Sequence, residues 1–220
     1  MKILELFCGR GGWSKGFKQI FPNAEFTGID INDFSEIYPF EFLQKDLMDY
    51  TPEPIYDIIL ASPPCAEFSE VKRNCAHYYD ERQGLDLVWR THYILSVCKP
   101  RYWIIENVKG LSEFIPHSKG EKIMLNNSRK YAHDPQITPL KKNPQNEKIQ
   151  YGLRSRKTAY LWSNKNIELG FFDFDMSDYH STMWHDPNIS GWVRWKNGIG
   201  GEIPIELSRQ IALKIKKNYD

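Results

Sequence analysis

The first third of the sequence alternates short apolar runs with a segment of helical period, and this order restricts the fold. Residues 2–7 form an apolar run, and a glycine-rich turn follows at residues 9–12. Apolar side chains then recur at helical spacing from Trp13 to Phe21, and Pro22 ends the helix. Strands that alternate with helices are typical of a parallel, doubly wound α/β sheet, which is the fold class that we predict. Further strands are predicted at residues 25–31, 55–61, 102–105 and 158–162.

Two more helices and one loop are predicted further along the chain. Helical spacing from Leu85 to Leu95 indicates a helix that ends before Pro100, and an amphipathic helix follows Pro204. Residues 66–82 are polar without a clear period, so we expect a mobile loop there. The 220 residues suffice for one α/β domain with a single core.

The composition excludes several classes of protein. Hydrophobic residues make up 41% of the chain and charged residues 26%, which is ordinary for a globular protein. The first residues carry Glu5 inside a short apolar run and lack a signal-peptide cleavage pattern. No later apolar run is long enough to span a bilayer. We therefore expect a cytoplasmic protein with no membrane partner.

Positive charge is concentrated in one part of the chain. Residues 99–168 contain 14 Lys and Arg against 6 Asp and Glu, although the net charge of the whole chain is only +1. A basic face suits an anionic partner such as nucleic acid. A solvated, lysine-rich face without a partner would give the same charge distribution.

The four cysteines form no C-x-x-C pair, which argues against both a disulfide framework and a thiolate zinc site. We interpret them as free thiols. Cys75, His77, His180 and His185 are the other candidate metal ligands, but their spacings match no metal signature. No metal is predicted.

The glycine-rich turn and two acids suit an adenosine-containing cofactor. Glycines between a strand and a helix let the backbone approach a ligand at the open helix N-terminus. Asp30, at the end of the second strand, can hydrogen-bond a ribose, and Asp46, after the third, can meet an adenine edge. The spacing from Gly11 to Asp30 fits a dinucleotide or S-adenosylmethionine. A turn required only for helix–sheet packing is the structural alternative.

Cys65 follows Pro63 and Pro64 at the end of an apolar strand, where it is a candidate nucleophile. Ligands of open parallel sheets bind beyond the carboxyl ends of the strands, and Glu106 and the glycine turn also fall there. A buried structural cysteine is the commoner case, but the stiff turn and the polar residues after it favour an exposed thiol. A thiolate beside a carboxylic acid suits an electron-poor ring. The sulfur adds to one carbon, the acid protonates or hydrogen-bonds a ring nitrogen, and a neighbouring carbon can then attack a methyl sulfonium.

Five stretches of the sequence resemble the ordered motifs of the DNA cytosine-5 methyltransferases. They are LELFCGRGGWSKGF, SPPCAEFS, IIENVKGL, LRSRKTAYLWSN and IPIELSRQIALKI, and the resemblance is close in the first three. It implies the Rossmann-like fold, with a mostly parallel sheet, of methyltransferases that use S-adenosyl-L-methionine as the methyl donor. It also implies methyl transfer to C5 of a cytosine in DNA, after that base has been flipped out of the stack.

The resemblance further implies roles for individual residues. Cys65 would attack cytosine C6, and Glu106 would engage N3 and the exocyclic amine. Asn107 would support the turn that contains Pro64, and residues 66–82 would close over the base. Arg154 and Arg156 would hold the flipped base and its neighbouring backbone, although another register places Lys157 or Thr158 there. The expected ligands of S-adenosylmethionine are Phe7, Gly9, Gly11, Gly12, Asp30, Ile31, Asp46, Leu47 and Pro63.

The target-recognition region is short for this family. Residues 1–164 and 200–220 would form the catalytic domain, and residues 165–199 a reduced target-recognition insert. Sequence readout would then be short, loose or supplied by a partner. Five residues of the insert would either stack on bases or complete the core: Tyr179, Trp184, Trp192, Arg194 and Trp195. We expect a monomer that acts on duplex DNA in a bacterial or phage-infected cytoplasm, in a restriction-modification or phage setting.

Four other functions are considered. An amino-methyltransferase needs an acid or amide before the two prolines and an aromatic residue after them, whereas Ser62 and Cys65 flank them here. The same fold can act on RNA, single-stranded DNA or a free nucleotide. A non-catalytic DNA-binding relative is a third possibility. A nicotinamide dehydrogenase would leave the Pro-Pro-Cys and Glu-Asn-Val stretches without a role.

Overall fold

A seven-stranded mixed sheet forms the centre of the fold, as a computed structural model of the chain shows. The structure describes residues 1–68, 81–108, 110–111, 114, 121–124, 158–164, 183–185, 192–194, 203 and 205–219. The strands are β1 (Lys2–Leu6), β2 (Glu25–Asp30), β3 (Glu41–Gln44), β4 (Ile58–Ala61), β5 (Tyr102–Asn107), β6 (Glu121–Met124) and β7 (Thr158–Ser163). Their order is β3-β2-β1-β4-β5-β7-β6. The first five strands of this order pair in parallel, and β7 is antiparallel to both β5 and β6.

Three α-helices accompany the sheet in the part of the chain that is described: α1 (Gly12–Ile20), α2 (Glu81–Cys98) and α3 (Ile205–Lys217). A short 3-10 turn, Ala66–Phe68, follows β4. A separate two-stranded ribbon pairs β8 (Met183–His185) with β9 (Trp192–Arg194). No helix among the described residues is both long and apolar enough to cross a bilayer.

The sheet is covered on both faces because successive side chains of its central strands point in opposite directions. On β1, Ile3 packs with apolar residues of α1 and α3, whereas Leu4 and Leu6 pack with residues of α2 on the other face. All four residues of β4 are buried. Burial on both faces is the usual state of a central parallel strand and explains the continuous apolar run in the sequence.

Helices α1 and α3 pack against each other at a very short distance, which Gly16 makes possible. A Cβ atom at this position would lie 2.5 Å from the Ile205 carbonyl oxygen and 2.5 Å from the side chain of Ser208. The Ser208 hydroxyl also donates a 2.6 Å hydrogen bond to the carbonyl oxygen of Trp13. The C-terminal helix is thereby joined to the helix that follows the glycine turn.

The predicted fold class is confirmed, and the predicted strands are present with small differences at their ends. The run at residues 55–61 becomes a strand only from Ile58, and Ile55 is 44% exposed. The sequence did not indicate bounds for β3, whose four residues are largely exposed, or for β6, β8 and β9. The expectation of an unstructured loop at residues 66–82 was wrong at both ends, where a 3-10 turn and the start of α2 lie. Residues 69–80 are outside the described part.

Candidate active site

The order of the strands brings two turns together at one edge of the sheet. From β1 the chain continues to β2 and β3 on one side, whereas β4 and β5 lie on the other side. This reversal beside β1 is a topological switch point, where ligands of open α/β sheets bind. The glycine turn follows β1, and the Ser-Pro-Pro-Cys turn follows β4. Both turns therefore border the same crevice.

The glycine turn has a backbone that other residues adopt with difficulty. Gly9 has φ +47° and Gly11 has φ +81°, both in the left-handed region that favours glycine. Phe7 has φ 56° without being a glycine, which indicates a turn under local constraint. A Cβ atom at Gly9 would meet nothing within 4 Å, so open space lies in front of this backbone. A ligand can approach the main chain there, and the half-buried Phe7 lies beside it.

Asp30 lies at the end of β2 and is hydrogen-bonded to the glycine turn. Its Oδ2 accepts a 3.0 Å bond from the Gly9 N–H, and its Oδ1 accepts a 3.0 Å bond from the Asn32 N–H. Two carboxylate oxygens offer about four lone-pair positions, so capacity remains for further donors. The adjacent Ile31 is 60% exposed and provides an apolar surface beside the carboxylate.

Asp46 and Leu47 follow β3 on the same side of β1 as Asp30. The Oδ1 of Asp46 accepts a 2.9 Å bond from the Met48 N–H, and the residue is half-exposed. Leu47 is only 4% exposed and packs in the core, and its carbonyl oxygen accepts a 2.8 Å bond from Arg90 Nε. Asp46 is thus available to a ligand through its side chain, and Leu47 is held by α2.

The register of β4 and β5 places the Pro-Pro-Cys turn next to the Glu-Asn end of β5. Ala61 is paired with Ile105, so the two strands end at the same level. The Asn107 Nδ2 atom donates a 3.0 Å hydrogen bond to the Pro63 carbonyl oxygen, and its Oδ1 accepts a 2.9 Å bond from the Val108 N–H. Asn107 is fully buried. This bond holds the turn before Cys65 against the strand that carries Glu106.

Cys65 differs from the other described cysteines in its exposure. Cys8 and Cys98 are 4% and 5% exposed, and burial raises the thiol pKa of both above its ordinary value. For Cys8, the nearby carboxylates of Glu5 and Asp30 raise the pKa further. Cys65 is half-buried and lies at the switch point. Among the described cysteines, Cys65 is therefore the one that is not buried.

Glu106 lies one residue before Asn107 and is 4% exposed. It is paired with Leu161 of β7, the antiparallel strand next to β5 in the sheet. Pro63 is buried and Pro64 is exposed, so the chain passes from the core to the surface just before Cys65. A buried carboxyl group near the end of β5 and a half-exposed thiol after β4 thus lie at one edge of the sheet.

A family model described as "C-5 cytosine-specific DNA methylase" matches residues 1–143, the segment that contains both turns and the Glu-Asn strand end. This chain belongs to that family. Such enzymes transfer a methyl group to C5 of cytosine and use S-adenosyl-L-methionine as the methyl donor. The glycine turn fits this cofactor, because open space lies in front of Gly9 and the Asp30 carboxylate and the apolar Ile31 lie beside it.

Two curated relatives and one solved structure illustrate the family relationship. The human tRNA (cytosine(38)-C(5))-methyltransferase is 30% identical over 126 residues, which cover 50% of this chain and 31% of that protein. The type II methyltransferase M.BsuFI of Bacillus subtilis is 23% identical over 181 residues, which cover 79% of this chain and 41% of that protein. The Entamoeba histolytica methyltransferase EhMeth matches with a TM-score of 0.50 at 17% identity, covering 81% of this chain and 59% of that one, and shows the fold alone. The chain spans less than half of the length of the two curated relatives.

Some of the expected site residues lie outside the described part of the chain. These are Arg154 and Arg156, together with most of the expected target-recognition insert at residues 165–199. Within the insert, the structure describes the backbone of β8 and β9 only. The register of the Arg-x-Arg segment therefore stays a prediction.

A buried polar cluster that the motifs did not predict lies next to the glycine turn. Glu5 is 2% exposed and accepts hydrogen bonds from the Ser14 N–H (3.0 Å), the Trp13 N–H (3.3 Å) and the Ser14 hydroxyl. The Tyr38 hydroxyl lies 2.8 Å from the Ser14 hydroxyl, and the Tyr38 ring packs on Gly28 of β2. An acid inside an apolar strand, directly before a glycine turn, was the signal in the sequence.

Proposed function

We propose that the chain methylates C5 of a cytosine in DNA and that Cys65 is the nucleophile. The observation that carries the proposal is the hydrogen bond from Asn107 to the Pro63 carbonyl oxygen. It joins the turn that carries Cys65 to the strand end that carries Glu106, at the switch point where the cofactor turn also lies. This bond supports a site in which a thiol, a carboxyl group and the bound methyl donor would meet at one crevice.

Cys65 and Glu106 have complementary parts in this proposal. The Cys65 thiolate forms a bond to C6 of the pyrimidine, and the electron pair of the C5–C6 double bond makes C5 nucleophilic. Glu106 holds a proton at N3, which neutralises the charge that develops on the ring. S-adenosylmethionine, when bound, supplies the methyl group to C5. Solvent water then takes the C5 proton, and the electron pair of that C–H bond restores the double bond as the Cys65 sulfur leaves C6 as a thiolate.

The proposal requires that the cytosine leaves the base stack, because stacking hides both faces of the ring. Extrusion of a base costs a few kcal/mol. We assign the holding of the extruded base to Arg154 and Arg156, and the covering of the site to the part of residues 66–82 that lies between the 3-10 turn and α2. Residues 1–164 and 200–220 would form the catalytic domain of a monomer, with residues 165–199 as the reduced recognition insert.

RNA is a second candidate substrate, and one specific observation favours it. The human relative at 30% identity is named for a cytosine in tRNA, whereas M.BsuFI belongs to the type II DNA enzymes. The chemistry proposed for Cys65 and Glu106 is the same on either nucleic acid. The substrate must therefore be decided by direct comparison.

The proposal is tested by incubating the chain with S-adenosylmethionine and, separately, duplex DNA, single-stranded DNA or tRNA. We expect 5-methylcytosine by nucleoside mass spectrometry, with duplex DNA as the best substrate. Cys65→Ala should abolish the product, and Glu106→Gln should lower the rate by about 10²- to 10⁴-fold, as loss of a general acid does. Cys98→Ala is the matched control, because that thiol is buried in the core and should be dispensable.

Methylated product from Cys65→Ala, or a methyl group on an exocyclic nitrogen, would refute the thiol mechanism. A higher rate on tRNA than on duplex DNA would establish the second candidate instead. Binding of DNA without any methylated product would indicate the non-catalytic relative.

A further inference from the structure

Trp13 links the glycine turn at residues 9–12 to the turn that carries Cys65. Its indole N–H donates a 2.9 Å hydrogen bond to the side-chain oxygen of Ser62. An indole nitrogen can only donate, so Ser62 is the acceptor. Trp13 is the second residue of α1, directly after the glycine turn, and Ser62 is the first residue after β4. The bond therefore joins the start of α1 to the turn that follows β4.

The Trp13 ring is held firmly by its surroundings. The side chain is 1% exposed, and its ring lies 6.2 Å from the ring of Phe17 in an edge-to-face arrangement. Its main-chain N–H donates to Glu5, and its carbonyl oxygen accepts the 2.6 Å bond from Ser208. Because closely packed interiors leave little room for displacement, the indole N–H is a fixed reference point for Ser62.

The turn that begins at Ser62 depends on side-chain hydrogen bonds for its position. Pro63 and Pro64 have no N–H to donate. The Ser62 N–H lies 3.4 Å from the Leu6 carbonyl oxygen, which is longer than usual for a main-chain hydrogen bond. Asn107 binds the turn at Pro63 from the β5 side. Trp13 binds it from the α1 side, one residue earlier.

We propose that Trp13 is a positioning residue whose hydrogen bond to Ser62 fixes the position of Cys65 relative to the glycine turn. Its kinetic consequence rests on the proposed function. Displacement of a reacting group by about 1 Å can cost about 100-fold in rate. Loss of the Trp13–Ser62 hydrogen bond should therefore slow methyl transfer, whereas the glycine turn should still bind S-adenosylmethionine.

The test compares variants that remove the bond from each side. Trp13→Phe keeps an aromatic ring in the core but removes the N–H, and Ser62→Ala removes the acceptor with little change in the core. We expect kcat to fall about tenfold in each, with KM for S-adenosylmethionine changed less than about twofold. The double variant should be no slower than the single ones, because both remove one shared interaction. The control is Trp103→Phe, near the amino end of β5 and away from the crevice.

A second measurement does not depend on catalysis. Amide hydrogen exchange is followed by mass spectrometry in peptides that cover residues 61–68, where the Phe68 N–H donates a 3.1 Å bond to the Cys65 carbonyl oxygen. We expect exchange about threefold faster in Trp13→Phe and Ser62→Ala, and unchanged in Trp103→Phe, because the turn opens more often without the bond.

The two measurements separate this inference from the proposed function. If the wild-type chain methylates none of the nucleic acids, the proposed function fails, and the exchange measurement alone decides whether Trp13 positions the turn. Unchanged exchange in both variants would overturn the inference. So would unchanged kcat in an active enzyme, or losses that multiply in the double variant.

Discussion

Glu5 is an acid buried beneath the glycine turn, and its environment changes its titration. Burial raises the pKa of its carboxyl group from 4.5 to about 7, although the bonds from Ser14, Trp13 and Tyr38 oppose this rise. The bonds from Trp13 and Ser14 come from the first turn of α1, where a negative charge is favoured by the helix dipole. The same residue therefore stabilises the start of α1 and is sensitive to pH near neutrality.

We expect the stability of the chain to fall with rising pH because of Glu5. Its pKa is higher in the folded than in the unfolded chain, so its contribution is fully present below about pH 4.5 and is lost as the pH rises through about 7. A shift of this size corresponds to about 3 kcal/mol. Urea unfolding of the wild type and of Glu5→Gln at pH values from 5 to 8 measures it. As the pH rises, the free energy of unfolding of the wild type should fall relative to that of Glu5→Gln, because the glutamine does not titrate.

Glu5→Gln also loses one acceptor, so it should be less stable than the wild type at low pH. This offset does not affect the comparison, because only the dependence on pH reports the titration of Glu5. Parallel curves for the two proteins would show that Glu5 does not titrate in this range.

The two helices α1 and α3 illustrate how an element distant in sequence supports the site. Their close approach at Gly16 and the bond from Ser208 to Trp13 connect the last helix to the first one. The two helices cannot easily shift at this contact, because one of the atoms nearest to Gly16 is the backbone oxygen of Ile205. Motion of α3 would therefore be transmitted to α1.

Gly16→Ala should destabilise the chain, although alanine is the better helix former by about 1 kcal/mol. The added Cβ would lie 2.5 Å from a backbone oxygen, so α1 and α3 must move apart. Overpacking of this kind costs about 1–3 kcal/mol. Thermal and urea unfolding measure the loss, with Lys217→Ala on the exposed side of α3 as the control. A more stable Gly16→Ala variant would mean that the helices separate at no cost.

At the scale of the whole molecule, one sheet edge collects residues from five parts of the chain. The glycine turn, Asp30, Asp46, the Pro-Pro-Cys turn and the end of β5 are all at the carboxyl ends of parallel strands. A ligand that binds there contacts only the folded chain, so binding and global stability are linked.

S-adenosylmethionine should therefore raise the melting temperature. At about 100 times its Kd, a ligand adds about 2.7 kcal/mol of stability, which corresponds to roughly 5–10 °C for a domain of this size. Asp30→Asn should reduce this increase, because the carboxylate is the proposed partner of the ribose. Asp33→Asn is the matched control, since that carboxylate is fully exposed and bonds to Ser35 in its own loop. Differential scanning fluorimetry with and without the cofactor makes the measurement. An increase of wild-type size in Asp30→Asn would refute the assignment of Asp30.

Local patterns in the sequence predicted most of the central sheet and the edge at which the candidate site lies. The buried strand before Ser62, the glycine turn at residues 9–12 and the Glu-Asn strand end are each read from a few neighbouring residues. Parallel topology then requires their carboxyl ends to meet at one edge. The short and exposed β3 gave no such pattern, because an exposed strand lacks a continuous apolar run.

The tertiary structure alone decided which side chains from distant segments touch. The hydrogen bond of Trp13 to Ser62, the cluster of Glu5 with Ser14 and Tyr38, and the contact of Gly16 with Ile205 all join such segments. Periodicity and motif spacing describe one segment at a time and contain no distances between segments. The sequence by itself therefore determined the fold class and the candidate nucleophile. The packing of α1 against the sheet and α3 determined that Trp13 contacts the turn before Cys65.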